Sequence, residues 1–137
     1  MHLQDLKLIE SSAVNIFFNQ NVTSSGQGSI KVEYGTVEFE VGGHLTDNPE
    51  TTVVALKATP CIRGFRKDIE HVEGQEDFIL KIEIRMLYAF DSKLELSEKF
   101  IQENSWYFSS FLRAYFRQYA EDILKNTTLN GIKLQAN

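Results

Sequence analysis

Residues 104–125, NSWYFSSFLRAYFRQYAEDILK, restrict the fold more than any other stretch of the chain. Phe108, Phe111, Leu112, Tyr115, Phe116, Tyr119, Ile123 and Leu124 recur at three- and four-residue spacing, which places them on one helical face. Ser109, Arg113, Arg117, Gln118, Glu121 and Asp122 fall mostly on the other side. No Pro or Gly interrupts the run, and Asn104 or Ser105 can serve as N-cap by accepting an orphan backbone N–H. A helix of about 20 residues is roughly 30 Å long. An aromatic stripe of that length must pack on a sheet or on another subunit.

The sheet is found upstream. In residues 78–90, Phe78, Leu80, Ile82, Ile84, Met86, Tyr88 and Phe90 alternate with Lys81, Glu83 and Arg85. That period of two marks an antiparallel strand with one covered face. Residues 3–18 read as an imperfect strand around a Ser-Ser break, with Leu6, Leu8, Val14, Ile16 and Phe18 as its apolar set. In IKVEYGTVEFEV the apolar parity flips at Gly35, which predicts a bulge or a tight turn. Gly42-Gly43 and Asp47-Asn48-Pro49 mark a loop. Residues 51–65 form a third strand region, where Pro60 implies an edge or a bulge because it cannot donate to a ladder. Residues 67–77 read as a charged connector, a helical lead-in starts near Ser97, and residues 129–137 close the chain with a turn and an extended tail. Strands first and a long helix last give an α+β fold: a four-stranded antiparallel sheet with the C-terminal helix on one face, in a single domain over 1–137.

Composition narrows the function. A formal charge of −5 disfavours nucleic acid, which requires a basic stripe. The lone Cys61 allows no internal disulfide or cysteine-based zinc site and fits a reducing compartment. No signal-peptide pattern or membrane-length segment is visible, so the expected address is the cytoplasm, without membrane insertion. His2, His44 and His71 are scattered, lack the one-face spacing of metal ligands, and read as solvated loop residues. Cys61 and His71 have no orienting third group, so Cys61 reads as an inert, half-buried thiol. The acidic run Glu70, Glu73, Glu76 and Asp77 reads as a solvated hairpin end. No glycine loop leads into a helix to cradle phosphate. Neither enzymatic activity nor a cofactor or metal is expected.

The aromatics carry the functional signal. Trp106, Tyr107 and Phe108 are consecutive, so one helical face cannot bury all of them; adjacent Phe17 and Phe18 point to opposite faces of a strand. With Phe65, the emergent aromatics Phe17, Phe18, Trp106 and Tyr107 are the candidate client-binding residues. Phe108, Phe111, Tyr115, Phe116 and Tyr119 exceed what one small sheet need cover and are the candidate oligomer interface.

This order of elements resembles the SecB-type export chaperones. The helix segment Phe111-Leu112-Arg113-Ala114-Tyr115-Phe116-Arg117 is similar to the family's Phe-Pro-Tyr-Ala-Arg-like motif, with Tyr115 and Arg117 as position-by-position matches. Gly131-Ile132-Lys133-Leu134 resembles the family's closing strand, and the resemblance spans residues 3–135. It implies a homotetramer, a dimer of dimers, that holds non-native or nascent polypeptides without nucleotide and passes them to the SecA motor. Ala114 stands where the family has Pro, and the family's second C-terminal helix and acidic tail have no counterpart before Asn137. Ala13 and Phe17 occupy positions of motor-docking carboxylates, and Lys81 or Ile82 replaces an expected Glu. Weak SecA docking is therefore expected. The alternatives are a chaperone dedicated to one client or to a toxin–antitoxin pair, and an oligomeric interaction module of the same fold.

Overall fold

A computed structural model describes residues 1–21, 28–45, 48–66 and 74–129, with the side chains at 42–45 and 48 left out. After a 3-10 turn at Leu3–Asp5 come β1 (Lys7–Gln20), β2 (Gly28–Glu33), β3 (Glu38–Leu45), β4 (Asn48–Ala58), β5 (Cys61–Arg66) and β6 (Phe78–Asp91). Two helices, α1 (Glu98–Glu103) and α2 (Ser105–Leu124), follow. The strands form one antiparallel sheet of six rather than the expected four.

The extra strands arise from two interruptions that face each other. β6 pairs with β1 along one edge, while its other edge takes β4 and then β5. Ala58 pairs with Ile84 and Cys61 with Lys81, three steps on each side, so β4 and β5 lie on β6 in one unbroken register. Beyond them β2 pairs with β5 and β3 with β4. From Glu33 to Glu38 the chain takes five steps while its neighbour, from Cys61 back to Lys57, takes four. The parity flip is thus a bulge and not a turn, and Gly35 accommodates it with φ of 67°.

Pro60 lies opposite this bulge. The sequence expectation placed it at an edge or a bulge, and its strand is in fact interior. Its missing N–H falls where the neighbouring ladder is already broken, while its carbonyl accepts from the Ile82 N–H at 3.1 Å.

β1 departs from the expected reading at three points. Leu3–Asp5 is a 3-10 turn, the strand runs unbroken through Ser11-Ser12, and Ile9 and Val14 are extra residues in its pairing with β6. Each bulge flips the parity, so Leu8, Ala13 and Phe18 all reach the core face. Ser11 is not a break: its hydroxyl shares a 2.9 Å hydrogen bond with the Tyr119 hydroxyl, joining β1 to α2. The loop expected at 42–49 is also shorter, because Gly42-Gly43 belongs to β3 and Asn48-Pro49 begins β4. The closing strand at 131–134 and most of the 67–77 connector lie outside the described residues.

The core lies between the sheet and α2. Leu80, Ile82, Ile84, Met86 and Tyr88 of β6 are fully buried against Phe108, Leu112, Phe116, Ala120 and Leu124. Ser97 caps α1 by accepting from the Phe100 N–H at 3.1 Å, and Asn104 is the N-cap of α2 without a side-chain cap bond. Arg113, expected on the solvent side, is half-buried with its guanidinium 4.9 Å from the centre of the Tyr34 ring.

Candidate functional site

The burial pattern separates the expected site residues into two groups. Phe17 is 53% exposed and Trp106 61% exposed, whereas Phe65 is only 3% exposed and offers no open surface to a client. Phe18 is half-buried against the core, and Tyr107 lies edge-on to Phe108 and Phe111 with ring centres 5.3 and 5.1 Å away. Of the helical set, Phe108 and Phe116 are consumed by the chain's own sheet: Phe108 stacks edge-on with Tyr88 and Phe39, Phe116 with Tyr34. Their burial removes them from any surface and answers the premise that one sheet cannot cover them. Phe111, Tyr115 and Tyr119 are half-buried, with part of each ring still facing outward.

Sequence reasoning missed the exposed bulge residues Ile9 and Val14, and the exposure of Ile16, Ile30 and Val41 on outer strands. Ile9, Val14, Ile16 and Phe17 are exposed along β1. The other edge of β1 pairs with no strand among the described residues, so a row of backbone donors and acceptors accompanies these side chains. Across the sheet, Ile30 and Val41 are exposed on the opposite outer strands. Ile9 is out of phase with Leu6 and Leu8, whereas Val14 keeps phase with Ile16 and Phe18 and gives no local signal of its bulge.

The middle of the sheet face away from α2 is polar. Val14, Glu38, Glu40, Ala55, Lys57 and Glu83, with Arg85, line a broad concavity of about 760 Å³, and Lys57 bridges to Glu83 at 3.5 Å. Phe17, Asn15 and Ser12 stand opposite Lys81, Glu83 and Arg85 in the β1–β6 register. Ala13, expected to share a face with Phe17, turns to the core because the Val14 bulge lies between them.

Burial raises the pKa of four groups, Tyr34, Cys61, Tyr88 and Tyr107. The Tyr88 hydroxyl is inside the aromatic cluster without a hydrogen-bond partner among the described residues, and burial raises its pKa well above the ordinary phenol value. Cys61 is buried, and burial pushes its thiol up against the opposing pull of Arg63 and Lys81. A raised thiol is a poor nucleophile. No group of His, Cys, Asp and Glu suited to holding a metal occurs among the described residues; the side chains of His44 and His71 lie outside them. No described helix is long and apolar enough to cross a membrane.

No family model matches the sequence, and no curated protein matches it. Among solved structures, the chain is similar to the Mycobacterium tuberculosis Rv1957 SecB-like chaperone, solved in complex with a ChAD peptide from the Rv1956 HigA1 antitoxin. The TM-score is 0.64 at 12% identity, over 96% of this chain and 90% of that one. A protein of unknown function from Streptococcus agalactiae aligns with a TM-score of 0.46 at 8% identity, over 95% and 96% of the two chains. The first likeness defines the fold: an α+β, SecB-like arrangement of a large antiparallel sheet and C-terminal helices.

Proposed function

We propose that this chain is a SecB-like, ATP-independent holdase that binds non-native polypeptide on exposed apolar surface. The observation that carries the reading is the exposure of Ile9, Val14, Ile16 and Phe17 along a strand whose outer edge pairs with nothing among the described residues. Apolar side chains beside free backbone groups suit an extended chain that has not buried its own. Trp106 adds a large aromatic contact at the start of α2. Peptide binding by the mycobacterial protein of the same fold supports polypeptide as the ligand class.

The mixed charge of the outer sheet face favours service to a dedicated client, an antitoxin included, over delivery to SecA. Lys57, Lys81 and Arg85 lie among Glu38, Glu40 and Glu83, which leaves no acidic patch for a cationic docking segment. The proposal includes assembly of copies, for which the resemblance implies a tetramer. The half-buried Phe111, Tyr115 and Tyr119 on α2 are the surface available for it.

Calorimetric titration against a permanently unfolded polypeptide and against its native form tests the binding reading. The unfolded form is expected to bind and the native form not. Equal heats with both, or none with either, contradict it.

A further inference from the structure

The long helix is anchored unevenly. Residues 112–124 of α2 bury Leu112, Phe116, Ala120 and Leu124, whereas residues 98–111 bury Phe108 alone. Polar contacts repeat the asymmetry. Tyr119 shares its hydrogen bond with Ser11 of β1, Arg113 lies over Tyr34, and just beyond the helix the Thr128 hydroxyl accepts from the Gln20 amide at 2.7 Å. Among the described residues no hydrogen bond or ion pair joins 98–111 to a strand. The bonds it does make are local, such as Asn104 Nδ2 donating to the Phe100 carbonyl and Lys99 bridging to Glu103. The one buried anchor is also loosely seated. An apolar cavity of about 110 Å³ adjoins it, between Phe39 and Leu56 of the sheet and Ile101 and Phe108 of the helices. Phe108 packs edge-on against Tyr88 with ring centres 5.2 Å apart, and the Tyr88 hydroxyl is the one left without a partner among the described residues.

We propose that α1 and the first two turns of α2 form a lid that opens by local unfolding while residues 112–124 stay docked on the sheet. A segment held by one buried side chain beside a void opens at a lower free energy than one held by four. Opening lets the Tyr88 hydroxyl reach water, which offsets part of the lost Phe108 packing. It also bares apolar atoms of Phe39, Leu56 and Tyr88, so the chain carries apolar surface that its closed state hides. The break falls between Phe111 and Leu112, where the regular run of buried positions begins. The lid stands on packing alone and goes beyond the holdase reading without depending on it.

Native-state hydrogen exchange of the full chain, resolved to single amides, is the test. The amides of Ser109, Ser110 and Phe111 bond within the helix, so their exchange reports opening rather than an unbonded first turn. After correction for intrinsic rates, they should exchange at least about tenfold faster than the amides of residues 116–120 and depend less steeply on urea. Ser11→Ala removes the β1 contact of the docked half. Exchange at 116–120 should then rise about fivefold, with 109–111 unchanged. Tyr88→Phe leaves no hydroxyl for opening to relieve, so exchange at 109–111 should slow about fivefold. One rate and one urea slope along all of α2, or an equal rise at both places in Ser11→Ala, overturns the proposal, because the helix then moves as one body. Unchanged exchange at 109–111 in Tyr88→Phe overturns it as well.

Discussion

Tyr88 sits at the middle of the aromatic cluster with its ring packed and its hydroxyl unpartnered among the described residues. An orphaned buried hydroxyl costs about 1–3 kcal/mol. Tyr88→Phe is therefore expected to stabilise the chain by about 1 kcal/mol, measured by chemical denaturation at neutral pH. The same burial raises the folded pKa above the ordinary value of 10.0, so the folded state holds the proton longer than the unfolded state. The resulting stability is complete below pH 10 and is lost as pH rises beyond it. The variant should lose less stability above pH 10 than the parent, although Tyr34, raised by burial in the same direction, retains part of the slope. Gly64 makes the opposite point. A Cβ there would run into the ring of Phe78, its cross-strand partner and a buried core residue. Gly64→Ala should destabilise by about 1–3 kcal/mol in the same measurement.

Among the elements, β6 and α2 were legible because each buries one face at a single unbroken period. Phe78–Phe90 was expected and Phe78–Asp91 is found; the helix expected over 104–125 is Ser105–Leu124. Gly35 and Pro60 were each read as irregular, but their meeting across two strands is a long-range fact that no local pattern contains. β1 was the least legible, since the bulges at Ile9 and Val14 hide its alternation and the Ser11 contact with Tyr119 spans most of the chain. The candidate site followed the same rule. Trp106 and Phe17 emerged where consecutive aromatics demanded it, whereas the burial of Phe65 depends on tertiary packing. The α2 start supplies a direct check. Because Trp106 is largely exposed, Trp106→Ala should change stability by no more than about 0.5 kcal/mol. Its binding to unfolded polypeptide should fall, as read by calorimetry; unchanged binding would remove Trp106 from the client surface.

The whole molecule is acidic, with a formal charge of −5, yet its outer sheet face is mixed. Lys81 and Arg85 of β6 project there beside Phe17 and Ser12 of β1, so a cationic docking tail meets little attraction. Each exposed like-charge contact costs only about 0.2–1 kcal/mol, but several lost attractions together weaken binding by orders of magnitude. Titration against a SecA motor is expected to show weak binding or none, and a sub-micromolar affinity would contradict that assignment of the face. The holdase proposal itself stands on apolar surface left uncovered at the β1 edge and at Trp106. Light scattering from a slow-folding client diluted out of denaturant, with and without this chain and with no nucleotide present, tests it most directly. Suppression of the scattering that saturates at a fixed ratio of chain to client is the expected result; scattering that rises equally in both samples would contradict it.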